Sequence, residues 1–357
     1  MNNNDFIRRF EDIHIGDRPA VGGKGASLGE LLNAGVRVPP GFVVRTSAFR
    51  AAFRQSGIGP EIVRTIEALH GMGLEEIAAA TREIRARIVH EPLPAPVNDA
   101  VVAAYEQLAR QDAEFFPVAV RSSATSEDSE EASFAGLQET LLWVLGEAGV
   151  LHAVRECWAS LYSAESVSYR LRLALPEPEV AMAVVIQRMV NARSAGVMFT
   201  RSPATGDRSV IAIEGSWGIG SAIVSGEVTP DKFIVSKVTG EVSGRTIAQK
   251  AIEHAPDPKH GGIVTRAVPA EQQRQPCITD EELRELVRLG KNIERHYGHP
   301  QDIEWAIDRA GAFPDNIYLL QSRPETVWAK KDRERQPTAV PKAHAYDHVF
   351  SLMGGRK

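Results

Sequence analysis

The chain has little of what several functional classes require. Only two cysteines occur, Cys157 and Cys277, far apart and in no metal-ligand spacing. That argues against a disulfide framework or a zinc site and for a reduced, cytoplasmic setting. Acidic residues outnumber basic ones, 46 to 41, giving a net charge of -5. The basic footprint that nucleic-acid binding needs is therefore missing. No run of about 18 apolar residues exists, so no membrane span is expected. The start, Met1-Asn2-Asn3-Asn4-Asp5, has no basic stretch leading into an apolar run, so no secretory signal is expected.

What is present fits a globular protein of 357 residues, with 43% hydrophobic and 24% charged residues. That length favours two subdomains over one core. Residues 24–34 read as a helix, with Leu28, Leu31 and Leu32 on one face and Gly35 as its stop. Pro39-Pro40-Gly41 is a turn into a strand at Phe42-Val43-Val44, and Thr46 is placed to cap a helix carrying Phe49 and Phe53 inward. Helical patterns continue to about residue 111, broken at Pro92, Pro94 and Pro96.

The pattern then changes to strands: Val118-Ala119-Val120, an apolar run at 181–189, and 195–199, 209–214 and 232–236. Ser122 to Gly136 and Pro256 to Gln275 read as loops. Thr279-Asp280-Glu281-Glu282 matches a capping box before a helix. Strands at 302–307 and 316–321 close the folded part, and a charged tail is expected from about Lys330. Helices first and strands later indicate an α+β protein.

Five segments suit a polyphosphate and its metal. Gly22-Gly23-Lys24-Gly25 opens a helix, where backbone N–H groups and a helix dipole favour an anion. It is not a Walker A loop, since Gly25 stands where Ser or Thr should follow the lysine; a solvated lysine in a glycine turn explains it equally. Arg121, at a strand end before Ser122 and Ser123, suits a bidentate phosphate contact. Ser133 to Thr140, around Gly136, could supply backbone donors and the Thr140 hydroxyl. An ordinary loop with a surface ion pair accounts for both segments as well. Gln187 puts an amide into an apolar strand and needs a partner, either an adenine edge or a backbone group across the sheet. Asp302 and Glu304 share one face of a strand, and Gln321 and Arg323 one face of the next. Two carboxylates, an amide oxygen and a guanidinium suit magnesium on phosphates and charge on a transferred phosphoryl group; cross-strand salt bridges are the alternative.

In order along the chain, Gly23-Lys24-Gly25-Ala26, Val38-Pro39-Pro40-Gly41-Phe42, Val120-Arg121-Ser122-Ser123-Ala124 and Ser133-Phe134-Ala135-Gly136 resemble the nucleotide-binding part of the phosphoenolpyruvate synthase and pyruvate phosphate dikinase family. Glu214-Gly215-Ser216-Trp217-Gly218-Ile219-Gly220, Val228-Thr229-Pro230-Asp231, Asp302-Ile303-Glu304-Trp305 and Gln321-Ser322-Arg323-Pro324 continue the resemblance. Rifampin phosphotransferase shares the pattern. The resemblance implies an ATP-grasp fold with ATP between two subdomains, expected at 1–190 and 191–328, and a tail at 329–357. It implies that Lys24, Arg121, Gly136, Thr140, Gln187 and Arg323 bind the nucleotide, with Lys24, Arg121 and Arg323 acting in catalysis. It also implies that Glu304 and Gln321, with Asp302 nearby, hold Mg2+.

Members of this family pass the β-phosphoryl group of ATP to a histidine in a Gly-Gly-x-Thr-Ser/Cys-His-type motif on a swivelling domain. Ten histidines occur here and none has that setting; Gly261-Gly262-Ile263-Val264-Thr265 leads instead to Arg266. The carrier histidine is therefore expected on a partner chain, an arrangement similar to phenylphosphate synthase, whose final acceptor is phenol. On this reading the start and tail are natural chain ends, although a fragment of a longer synthase remains an alternative. A self-contained small-molecule kinase and a nucleotide-sensing module are the other classes. The first needs an acceptor pocket with a general base; the second has no need for Glu304, Gln321 and Arg323.

Overall fold

The computed structural model describes residues 5–110, 116–125, 139–177 and 180–335. The first half contains β1 (Ile7–Arg9), α1 (Arg18–Asn33), β2 (Gly41–Val44), α2 (Thr46–Gln55), α3 (Ile58–Glu67), α4 (Leu74–His90) and α5 (Ala95–Ala109). It continues with β3 (Val118–Ala124), β4 (Thr140–Val144), α6 (Gly146–Ser160), α7 (Ala164–Arg172) and β5 (Met182–Arg188). The second half runs β6 (Ala192–Phe199), β7 (Val210–Trp217), α8 (Ser221–Val224), β8 (Asp231–Ser236), β9 (Val242–Thr246), β10 (Ile252–Pro256) and β11 (Ile263–Ala267). It ends with α9 (Asp280–Tyr297), β12 (Gln301–Asp308), β13 (Ile317–Pro324) and α10 (Val327–Arg335). The α+β expectation holds.

Three sheets form, of five strands in the order β1-β2-β5-β3-β4, six in the order β13-β12-β6-β7-β8-β9, and two, β10-β11. Every ladder in them is antiparallel. The apolar run at 181–189 becomes β5 because both of its faces are covered. Met182, Val184 and Ile186 join a core under α2 to α7, while Ala183 and Val185 face a second core. Alternation of side chains produces that division. In β2, likewise, Phe42 and Val44 enter the first core and Val43 the second. Phe49 and Phe53, one turn apart on α2, stack at 4.1 Å and pack edge-on to Trp158 of α6.

The second core crosses the expected boundary at residue 190. Val21, Leu28 and Leu31 of α1 share it with Met198, Ile213, Ile303 and Leu319 of the six-stranded sheet. The Ser27 hydroxyl donates to the Ser322 carbonyl, and the Ser322 N–H donates back to Ser27 Oγ at 3.3 Å. At the start of α1, Gly22 breaks the helix with φ +71°. A Cβ there would lie 2.2 Å from the Ser123 carbonyl oxygen, so β3 can approach only a glycine. The capping box forms as the sequence predicts, with Thr279 Oγ1 accepting from the Glu282 N–H and Glu282 accepting from the Thr279 N–H.

Four expectations need correction. Thr46 does not cap α2; its hydroxyl donates to the Pro19 carbonyl, and Arg45 holds the cap position without a side-chain bond. Part of the 256–275 loop is β11, paired with β10. The Ser122 loop begins later, because β3 continues to Ala124; Ser133 and Gly136 lie outside the described residues. Lys330 lies inside α10, which is fastened to the body. There Asp332 takes Arg201 at 2.8 Å and Arg208 at 3.1 Å, and the Trp328 indole N–H donates to Pro203. Charge alone suggested a solvated tail, but Asp332 has partners 124 and 131 positions away; residues 336–357 of the expected tail lie outside the described residues.

Among the described residues, one ion pair is fully enclosed. Lys250 Nζ lies 2.6 Å from Asp231 Oδ1, and both side chains are wholly enclosed. The backbone N–H groups of Ala248 and Cys277 also donate to Asp231. Replacing Lys250 by Met leaves a buried carboxylate without its cation. The expected loss is about 3–5 kcal/mol in urea denaturation; an unchanged midpoint would remove this pair from the supports of the sheet.

Candidate functional site

The five- and six-stranded sheets face one another across a cavity of about 390 Å³. One wall is built from Ala119 and Arg121 of β3, Thr140 and Leu142 of β4, and Gln187 of β5. The other comes from Ala195, Gly196 and Val197 of β6, Glu304 and Ala306 of β12, and Leu320 of β13. Ile219 to Ser225, including α8, form the rim. Glycine in β6 lets the floor pack closely on the core behind it. At Gly196 a Cβ would meet the Glu214 carbonyl oxygen at 1.9 Å and the Trp305 ring at 2.7 Å, so only glycine lets β6, β7 and Trp305 close up. A larger groove of about 650 Å³ beside β1 and α5 contains none of the candidate residues. The smaller cavity is the better candidate because Arg121, Thr140, Gln187 and Glu304 converge on it from both sheets.

That convergence follows from strand register. Asp302 stands opposite Arg323, and Glu304 opposite Gln321, so all four fall on one face of the β12–β13 pair. Arg121 reaches them from the other sheet. Its guanidinium donates to Glu304 Oε2 at 3.2 Å, to Gln321 Oε1, and to the Leu320 carbonyl at 3.1 Å. Arg121 is only 8% exposed, so these acceptors hold a charge that has lost most of its water. Thr140 is its register partner on β4.

Farther along the same strands, Arg323 Nε lies 3.5 Å from Asp302 Oδ2. Burial pushes the Asp302 carboxyl up to about 6, against the opposing pull of Arg323. Asp302 Oδ1 is buried without a hydrogen-bond partner, while more than half of the Arg323 side chain is exposed. The cross-strand pair expected as the alternative reading therefore exists, and both members keep free capacity.

Gln187 finds a backbone group: its amide donates to the Pro39 carbonyl at 3.4 Å while its side chain lines the cavity. Lys24 is buried at the start of α1 and does not line the cavity. Beside it, the Gly25 N–H donates to Ser123 Oγ, so β3 satisfies part of that helix start. Of the predicted site residues, Arg121, Thr140, Gln187 and Glu304 thus share the cavity, Gln321 joins them through Arg121, and Asp302 and Arg323 extend the same face. Gly136 lies outside the described residues. The rim residues Ser221 and Ser225 went unnoticed in the sequence, although the Trp217-Gly218-Ile219-Gly220 motif runs into them.

Known proteins are similar to this chain in sequence. Residues 18–344 match the family described as pyruvate phosphate dikinase, AMP/ATP-binding domain. The chain belongs to this family. The phosphoenolpyruvate synthase of Aeropyrum pernix is 43% identical over 343 residues, covering 89% of this chain and 42% of that protein. That of Pyrococcus furiosus is 37% identical over 376 residues, covering 95% and 46%. A probable phosphoenolpyruvate synthase of Staphylothermus marinus is 38% identical over 353 residues, covering 92% and 42%. The chain spans less than half the length of these relatives.

The donor set around the cavity also fits a metal shared with phosphates. Among the described residues no three His, Cys, Asp or Glu groups form a cage. Glu304 and Gln321 instead offer two oxygens side by side. Magnesium takes about that many from protein when phosphates and water complete its shell.

Two glycines on this cavity should respond differently to a methyl group. Gly220 has an α-helical backbone, and a Cβ there would meet only Ala195 at 3.5 Å. Gly220→Ala should be neutral or stabilising by up to about 1 kcal/mol, because it restricts the unfolded chain. Gly196→Ala should lower the thermal midpoint clearly, because the clash is with backbone. Equal midpoints for the two variants would contradict this account of the floor.

Proposed function

We propose that this chain is the ATP-binding component of a dikinase-type phosphotransferase, with an ATP-grasp arrangement in which the nucleotide lies between the two sheets. The observation that carries the reading is the approach of Arg121 from one sheet to Glu304 and Gln321 of the other, inside a cavity of an AMP/ATP-binding family. Arg121 is held in place by acceptors of the protein itself, so little reorganisation is needed when it meets a phosphate oxygen. Arg323, half free of Asp302, supplies a second cation farther along the strands. Lys24 is assigned a phosphate contact at the α1 start, and Thr140 and Gly136 a place over the polyphosphate. The apolar walls at Ala195, Val197, Leu320 and Ile219 suit a flat base and exclude water, which strengthens the polar contacts deeper in the site. Gln187 would read an edge of that base.

Glu304 and Gln321 would hold magnesium, with Asp302 behind them; bound there, the ion would neutralise charge on the polyphosphate. The reaction assigned is cleavage of ATP to AMP and phosphate, with the β-phosphoryl group passing to a histidine. That histidine is assigned to a swivelling domain outside these 357 residues, because none of the ten here stands in the carrier motif; the phenylphosphate synthase-like version of the reading puts it on a partner chain. Phenol is the final acceptor on the phenylphosphate synthase-like version of this reading. A cytoplasmic setting completes it.

Calorimetry with ATP and magnesium is expected to show binding by this chain; no heat at millimolar ATP would overturn the reading. Glu304→Ala and Gln321→Ala should reduce turnover with the partner more than they reduce nucleotide affinity, since a metal's contribution grows as charge redistributes in the transition state. Equal losses in the two quantities would reduce these residues to ground-state binding.

Label position distinguishes the transfer routes. With a histidine-bearing partner, label at the β-phosphate of ATP should appear on the partner and not on this chain, and γ-label should leave as free phosphate. Acid-labile label on this chain would place the carrier within these residues. Formation of ADP with direct transfer to a small molecule would favour the self-contained kinase.

A further inference from the structure

The cavity rim is closed by a ring of side chains that the nucleotide reading leaves unused. Ser221 Oγ lies 2.8 Å from His254 Nδ1 of β10, and His254 Nε2 lies 3.5 Å from Glu227 Oε2. The second Glu227 oxygen accepts from the Ser225 hydroxyl at 2.8 Å. Glu227 can only accept, so His254 presents its proton at Nε2 and accepts the Ser221 hydroxyl at Nδ1. The ring therefore joins the first residue of α8 to the residue after its last.

Such a fastening matters because α8 has only four residues. A helix this short has no stability of its own in water. The backbone adds to the connection: the Ile219 N–H donates to the His254 carbonyl at 2.9 Å, and Gly218 forms a bridge to His254. Gly218 has φ +73°, and a Cβ there would lie 2.4 Å from the His254 carbonyl oxygen, so the close approach depends on glycine.

His254 itself stands on a fixed base. It is 7% exposed. Its neighbour Glu253 pairs with Arg309 at 3.0 Å, and the hairpin base carries the buried Lys250–Asp231 pair. At the hairpin tip, the Gly262 N–H donates to the Trp143 carbonyl at 2.9 Å, on the five-stranded sheet. The rim is thus referenced to both walls through one hairpin. It also presents Val224, 80% exposed and lining the cavity, as an apolar surface for a ligand to cover.

We propose that His254 is a positioning residue: through Ser221 and Glu227 it holds the Ile219–Ser225 rim in the conformation that covers the nucleotide. The nucleotide part rests on the proposed function, whereas the holding of the rim does not, and the two are separable. In the ligand-free protein, His254→Ala should speed amide hydrogen exchange across 219–225 by roughly tenfold, the effect of losing a net hydrogen bond or two. Affinity for ATP with magnesium should fall by a similar factor, with the thermal midpoint little changed. His254→Asn should restore both in part, because its side-chain amide reaches the position of Nδ1 beside Ser221 but not that of Nε2 beside Glu227. Ser221→Ala should loosen the rim without touching the packing of His254, and so tests the ring even if His254→Ala folds poorly. Unchanged exchange at 219–225 in Ser221→Ala, or identical behaviour of His254→Ala and His254→Asn, would overturn the proposal. Faster exchange at 219–225 in Ser221→Ala, together with no ATP binding by the wild-type protein, would keep the positioning role and refute the nucleotide reading.

Discussion

Helix α1 packs at once against β3 and β5 of one sheet and β13 of the other, and the rest of the architecture depends on that double contact. Gly22 admits β3 at the helix start, and Ser27 exchanges hydrogen bonds with Ser322 on the far sheet. The two sheets are therefore held apart by one helix along one side, and the cavity is the space left beyond it. Their separation is set by van der Waals packing in a shared core, which tolerates little change of volume.

Across that space the contacts are polar. Arg121 extends from β3 to Glu304 and Gln321, so the walls meet through a charged group where α1 no longer fills the gap. A guanidinium with acceptors on the opposite wall can exchange them for other oxygens at modest cost, because it is already desolvated and oriented. The Lys250–Asp231 pair has a different character. It is wholly enclosed and bound by backbone groups as well, so it serves as a fastening for the ends of β8 and β10.

Much of this was legible in residue patterns. The capping box at Thr279, the apolar run of β5 and the inward Phe49 and Phe53 are local signals, and local physics decided them. The same-face placement of Asp302 with Glu304 follows from strand alternation alone. Less legible were β10 and β11, whose pairing partners lie across a turn and whose exposed residues carry no apolar alternation. Thr46 looked like a cap because it is the preferred residue type, yet it is already the first residue of α2, and its hydroxyl donates to the Pro19 carbonyl, 27 positions earlier. The α10 charges looked solvated because their partners Arg201 and Arg208 lie far away in sequence.

By itself the sequence determined several of the helices and strands, which of their faces are apolar, and which charged types stand in order along the chain, because these depend on neighbours within a few residues. Family membership was readable in the same way, from short motifs kept in one order. Only the tertiary structure decided that Arg121 meets Glu304, 183 positions away, that the core crosses residue 190, and that His254 closes on Ser221. Each of those depends on how two sheets face one another, and that orientation is the joint outcome of packing over the whole chain.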